Sequence, residues 1–277
     1  MLTLQIVFAL LFGLALGSFL NVCISRLPRH HSIAQPPSHC PHCKVPIAAR
    51  DNIPLASFLL LRGRCRNCRK RIAWRYPFVE AAVAALVVVN VFFNGIQFWS
   101  IAVSVFCALL LALAVSDAET MQLPDALTLP LLGLGILYRA GDGLFGEMDR
   151  GTAYAWHSAF LLGLRGAISA AATALVLLLL RWIYSLVRRR QGLGLGDVKL
   201  AAAIAAWLGA RQMCVVFFLA VVTGALTALL LLALGGRKRA ESAGPLAVPF
   251  GTFLALAGIY CAYLGENTLE WYLNFYH

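Results

Sequence analysis

The sequence predicts an all-α polytopic membrane protein of about eight transmembrane helices with a small cytoplasmic zinc-binding loop domain. Three observations predict it. Of the 277 residues, 61% are hydrophobic and only 13% charged, where a soluble domain carries about 25% charged residues. The apolar residues fall in blocks that approach the roughly 20 residues needed to cross a bilayer. Two CxxC pairs lie in a basic stretch after the first block.

The blocks can be taken in order. They run at 2–22, 79–94, 97–116, 123–139, 158–184, 198–209, 212–234 and 247–265. The first has no basic n-region and no small-residue cleavage site, so it reads as a span rather than a removable signal peptide. The fourth contains Pro124 and Pro130, and the sixth is short and rich in alanine. Both are tolerable where neighbouring helices bury them. The chain thus divides into a first transmembrane helix (1–25), a cytoplasmic basic loop (26–78) and a membrane core (79–277).

Charge orients the spans. Between Arg26 and Arg75 there are eleven Lys and Arg and one acid, Asp51. Two further basic clusters are Arg188-Arg189-Arg190 and Arg237-Lys238-Arg239. With the 26–75 loop in the cytoplasm, eight spans bring all three clusters to the cytoplasmic side, as the positive-inside rule requires. Both termini then lie outside, and the loop 140–157, with Asp142, Glu147 and Asp149 against one arginine, is external. The net charge of +11 therefore belongs to the membrane surface and its anionic lipids. Nucleic-acid binding would want aromatic residues interleaved with the charges, and the clusters lack them.

Cys40-Pro41-His42-Cys43 and Cys65-Arg66-Asn67-Cys68 have nearly the spacing of a zinc ribbon. Four thiolates close a tetrahedral coordination sphere, so the expected zinc is structural. Two disulfides are the competing reading, and a reducing cytoplasm disfavours them. His39 and His42 are spare ligands. Cys23, Cys107, Cys214 and Cys261 lie in apolar segments and read as packing residues.

The twelve acids are few enough to question singly. "SDAETMQLPDALTLP" (116–130) holds Asp117 and Asp125, and "GLGLGD" ends at Asp197. Asp125, just after Pro124, reads as a helix cap. Asp197 is open between cap and functional acid. "GLGLGD" is no dinucleotide loop, because no strand precedes it and no βαβ unit follows. Lys199 reads as a side chain that snorkels to the interface. In the eight-span threading Asp117 and Asp197 emerge at one membrane face. Two carboxylates in a confined site share a proton: the ionised one can take a proton from water while the other donates to a carbonyl oxygen.

These motifs occur in a recognisable order. "GSFLNVCISRLP" (17–28), the CxxC pairs, "DNIPLASFLLLRGRC" (51–65), "RYPFVE" (75–80), D-x6-PD (117–125), "GLGLGDVKL" (192–200) and "VPFGTFLA" (248–255) together resemble the bacterial prepilin peptidases, the type IV prepilin leader peptidase/N-methyltransferase family. The resemblance implies a GxGD intramembrane aspartic protease with Asp117 and Asp197 as its catalytic pair. It implies removal of the leader from type IV prepilins or type II secretion pseudopilins at the cytoplasmic face of the inner membrane. It also implies N-methylation of the new N-terminus with S-adenosylmethionine, because members with the tetracysteine loop look bifunctional. No residue is assigned to that cofactor. Glu80 is a candidate, with an ion pair to Arg75 or another basic residue as its alternative role.

Two other classes compete. An ion-coupled transporter would also place acids in membrane helices, but at mid-membrane and between repeats, and no repeat is visible here. A zinc-bearing scaffold of a secretion machine would use the aspartates only as caps.

Overall fold

The structure, a computed structural model, describes residues 2–189, 192–242 and 248–274, with the side chains of 235–242 outside that description. Arg190, residue 247 and the side chains of the Arg237-Lys238-Arg239 cluster therefore lie outside the described residues. Among the described residues the chain is helical, with no strand beyond two isolated bridges. It packs as two units, 1–112 and 113–277.

In the first unit, α1 (Leu2–Arg26) and α3 (Arg75–Asn94) form an antiparallel pair. The pair is close because α1 carries Gly13 and Gly17 on one face. A Cβ at Gly13 would sit 2.6 Å from the Ala84 Cα, and one at Gly17 would sit 2.8 Å from the Glu80 Cα. Small residues four apart are a common way for membrane helices to approach backbone to backbone. Asn21 donates a side-chain N–H to the Tyr76 carbonyl at 3.0 Å. The start of α4 (Phe98–Thr120) is fixed by Asn90, whose amide reaches the Ser100 carbonyl and the Ser104 hydroxyl.

Between α1 and α3 lies the basic loop. Its only helix of more than three residues is α2 (Ala56–Leu60). Asp51 and Arg66 tie its two halves through a two-toothed ion pair at 2.8 and 2.6 Å, and Phe58 packs on Trp74 with ring centroids 5.1 Å apart.

The second unit contains the end of α4 with α5 (Asp125–Gly146), α6 (Thr152–Arg188), α7 (Leu195–Ser242) and α8 (Phe250–Asn274). α5 and α6 are antiparallel: a Cβ on Gly143 would meet the backbone of Ser158 and Ala159, and one on Gly163 would meet Ala140. Ala170, Ala202 and Ala206 form the seam between α6 and α7.

α7 has 48 residues and would run about 72 Å as a straight rod, more than twice the hydrocarbon thickness. It does not run straight, for Gly209 takes φ +83°, a value open to glycine and costly for other residues. Neighbours on both sides show a reversal. Gly196 and Gly251 both touch Leu123, so α7 and α8 begin at the same end of the unit. Gly265, about 21 Å further along α8, lies beside Gln212, and Gly224 has returned to Phe253. The two segments expected at 198–209 and 212–234 are thus the outgoing and returning limbs of α7. Arg139 donates from Nε to the Trp207 carbonyl at 2.9 Å, serving a carbonyl beside the turn.

Among the described residues five helices are long and apolar enough to cross a membrane: α1, α3, α4, α6 and α7. α5 and α8 are long enough but too polar to qualify by composition. α5 carries Asp125, Arg139 and Asp142, and α8 ends with Glu266 and Glu270.

Candidate active site and metal centre

Asp117 lies one turn before the end of α4, where the chain leaves the helix through Met121 at φ +54°. The Ser116 hydroxyl donates to the Gln122 carbonyl at 3.0 Å and holds that exit in place. Asp117 is only 5% exposed. Its Oδ2 accepts the backbone N–H of Thr252 at 2.8 Å, and the Thr252 hydroxyl lies 3.2 Å away. Thr252 belongs to the first turn of α8, whose N–H groups have no partner inside the helix, and a helix N-terminus favours a neighbouring carboxylate.

Asp197 is the third residue of α7 and half-buried. It accepts the N–H of Gly194 at 3.3 Å, the reach back to the start of the helix that a capping box makes. The glycine loop before it is held by Arg181, which donates to the Leu193 carbonyl at 2.7 Å. Leu123 links the two acids. Its side chain would meet a Cβ on Gly196 at 3.1 Å and one on Gly251 at 2.9 Å, and Gly251 in turn lies against the Asp117 carboxylate. The structure therefore places Asp117 and Asp197 at the same end of the second unit, on either side of Leu123.

Two expectations are corrected nearby. Asp125 is not a cap: Pro124 precedes α5 with no side-chain cap bond. Lys199 does not snorkel alone. Its Nζ pairs with both Asp125 oxygens, at 2.7 and 2.8 Å, across 74 residues. The reason is parallel packing of α5 against the first limb of α7, which faces their first turns toward each other. Glu80 also differs from expectation. It is buried and accepts the backbone Leu55 N–H at 2.8 Å, a partner the sequence did not suggest. Leu55 stands at φ +55°, unusual for a branched residue, and Glu80 is the polar partner that holds it there.

The four loop cysteines converge. One sulfur from each of Cys40, Cys43, Cys65 and Cys68 lies within 4.8 Å of all the others, with Cys40 and Cys68 at 3.8 Å. Zinc at about 2.3 Å from four thiolates sets sulfur–sulfur edges of about 3.8 Å, so the cluster fits that ion with small adjustments. None is in a disulfide. Two matching turns present them: Lys44 and Arg69, each just after the second cysteine, take φ 61° and 58°. Each turn is closed by a bond to its first cysteine, from Lys44 N–H to the Cys40 carbonyl and from Arg69 N–H to the Cys65 carbonyl.

The Val45 N–H, helped by Asn67, draws the Cys43 thiol down to about 6. Cys65 is lowered by the N–H groups of Cys68 and Asn67. Cys68 has the N–H of Lys70 pulling it down, but burial and the three crowding thiols push it up to about 11. Four sulfurs this close cannot all ionise without a cation, and a divalent ion removes that conflict. His39 and His42 stay outside the cluster. Of the remaining cysteines, Cys23, Cys107 and Cys261 are buried as expected, whereas Cys214 is exposed on the returning limb of α7.

Fold and site together define a helical membrane protein with paired carboxylates at one end of a helix bundle and a four-thiol centre in its loop. Comparison with known proteins names its relatives. Residues 11–93 match the bacterial peptidase A24 N-terminal domain, and residues 104–229 match the type IV leader peptidase family. The chain is 36% identical to the prepilin leader peptidase/N-methyltransferase of Aeromonas hydrophila, across 95% of this chain and 92% of that one. It is also 36% identical to the protein of that name from Burkholderia pseudomallei, covering 94% and 86%. Identity is 35% with the type 4 prepilin-like proteins leader peptide-processing enzyme of Escherichia coli O78:H11, covering 93% of each. No solved structure matches. The chain belongs to the type IV leader peptidase family, the family of prepilin leader peptide-processing enzymes.

Gly251 and Thr252 are the site residues that sequence reasoning missed. "VPFGTFLA" stands out in the chain only as part of an ordered pattern. A glycine followed by a threonine at the start of an apolar helix was the available signal.

Proposed function

We propose that the protein is an aspartic endopeptidase of the inner membrane, with Asp117 and Asp197 as its catalytic pair. It removes the leader of type IV prepilins or type II secretion pseudopilins. The observation that carries this reading is the convergence of the two carboxylates at one end of the second unit, each held at the N-terminus of a different helix. One carboxylate takes a proton from the attacking water while the other protonates the scissile carbonyl oxygen. The amine then leaves with a proton from the pair. A substrate helix whose peptide bond is seated beside both groups reacts from a preset position.

We also propose the orientation that charge supports, with the carboxylates and the zinc loop at the cytoplasmic face and both termini outside. Zinc, held by Cys40, Cys43, Cys65 and Cys68, would supply a structural cross-link and no reacting group. The relatives' names include an N-methyltransferase, and this chain, with all four cysteines, would use S-adenosylmethionine as methyl donor. The glycine loop is not a candidate for that cofactor, because Gly192, Gly194 and Gly196 already lie against Tyr184, Asp197 and Leu123.

The test is the mass of a prepilin after incubation with purified enzyme and S-adenosylmethionine. Wild type should remove the leader and add one methyl group. Asp117→Asn and Asp197→Asn should leave the substrate uncut while the enzyme stays folded and keeps its zinc. Cleavage by either variant at the wild-type rate would refute the assignment.

A further inference from the structure

We infer that Thr252, with Gly251, is the positioning element for Asp117, an inference that rests on Asp117 being a catalytic carboxylate. The Thr252 backbone N–H donates to one Asp117 oxygen, and the Thr252 hydroxyl lies within reach of the same oxygen. The backbone N–H is 2.8 Å from Oδ2 and the hydroxyl 3.2 Å. The carboxylate cannot rotate about its side-chain bonds without losing the first of these. The hydroxyl shares its single proton between that oxygen and the Ala114 carbonyl 3.0 Å away, which registers Thr252 against α4 one turn before Asp117. A single residue thus fixes both the oxygen and the helix that carries it.

Gly251 makes that approach sterically feasible. A Cβ there would stand 3.0 Å from Asp117 Oδ2, 3.1 Å from its Cγ and 2.9 Å from Leu123 Cδ1. The Leu123 methyl can give by a side-chain rotation, but the carboxylate is buried and bonded and cannot retreat cheaply. Among the described residues Asp197 has no equivalent clamp. It accepts one long bond at 3.3 Å from its own loop and is half-buried. The two acids are therefore held unequally: Asp117 is the fixed reference, and Asp197 is the one with freedom to adjust. A misplacement of about 1 Å in a reacting group can cost on the order of a hundredfold in rate, so removing the clamp should be visible in turnover.

The experiment compares Thr252→Val, Thr252→Ser, Gly251→Ala and Asp117→Asn in purified full-length enzyme, reading kcat and KM for prepilin cleavage. Zinc content and thermal unfolding report whether each variant folds. Thr252→Val keeps size and backbone N–H and loses only the hydroxyl. It should lower kcat about tenfold with KM within about twofold, Thr252→Ser should restore kcat, and Gly251→Ala should lower kcat about a hundredfold. If Thr252→Val turns over like wild type, or Thr252→Ser is as impaired as Thr252→Val, the positioning role is wrong even when Asp117→Asn is inactive. If Asp117→Asn itself cleaves normally, the underlying assignment of Asp117 falls instead. Should Thr252→Val fail to fold, Gly251→Ala and Thr252→Ser still decide. Wild-type kcat for a folded Gly251→Ala overturns the inference.

Discussion

Removing the metal from the four-cysteine cluster should unfold the basic loop and leave the membrane helices standing. The magnitude follows from the geometry. The sulfurs already lie within 4.8 Å of one another, and tetrahedral zinc needs edges of about 3.8 Å, so binding moves ligands by about 1 Å or less. A nearly preformed four-thiolate site should approach the binding strength of structural zinc, about 10–16 kcal/mol at neutral pH. Against this the loop has little of its own. It has one five-residue helix, two isolated bridges, a solvent-screened Asp51–Arg66 pair, and the Phe58–Trp74 contact, the last worth about 0.5–1.5 kcal/mol beyond its buried area. Bound metal would therefore dominate loop stability.

The loop carries its own reporter, because eleven Lys and Arg between residues 26 and 75 are trypsin sites. Enzyme in detergent should resist trypsin there with zinc bound. It should be cut within 27–74 after chelation or in Cys65→Ser/Cys68→Ser, with no new cut C-terminal to Arg75. Acid should favour the cut form. Cys43, drawn down to about 6, is largely thiolate at neutral pH, whereas Cys68, pushed up to about 11, must release a proton when metal binds. Lowering the pH therefore sets protons in competition with zinc. Unchanged trypsin protection after verified metal loss would refute the reasoning.

Other substitutions test the packing. Gly17→Ala places a Cβ 2.8 Å from the Glu80 Cα and should destabilise by about 1–3 kcal/mol. Gly133→Ala meets no heavy atom within 4 Å and should be neutral or stabilising by about 0.5–1 kcal/mol. Thermal unfolding that ranks them the other way would contradict the α1–α3 contact. Trp207→Phe loses the indole bond to the Leu131 carbonyl at 2.8 Å and part of a buried ring. It should cost about 1–3 kcal/mol in denaturant unfolding, with turnover per folded molecule unchanged. Asp125→Asn breaks a pair whose side chains are 55% and 41% exposed, worth about 0.2–1 kcal/mol. Cleavage should stay within a few-fold of wild type, and abolished cleavage with an unshifted melting temperature would put Asp125 in the reaction.

Much of this is legible in the chain because the signals are local. Long apolar runs announce helices whatever they pack against, and Cys-x-x-Cys brings two sulfurs together within one turn. Asp117 and Asp197 can be singled out because acids are rare beside apolar segments. Side-chain partners are harder to read. Asp125 resembles a cap because caps are local, yet its partner is 74 residues away. Lys199 looks solitary for the same reason. Glu80 likewise invites a nearby basic partner, yet it serves the Leu55 backbone 25 residues away.

Gly209 shows the same division. Hydropathy separates residues 198–209 from 212–234, but only the positions of Leu123, Gln212 and Phe253 show that the chain turns back there. The sequence by itself determined which segments are helical, which cysteines could share an ion and which acids were out of place, since those follow from composition and spacing within a few turns. Tertiary structure alone decided what each acid faces. A carboxylate's partners are set by which helices pack side by side, and the start of α8 reaches Asp117 from 135 residues further along the chain.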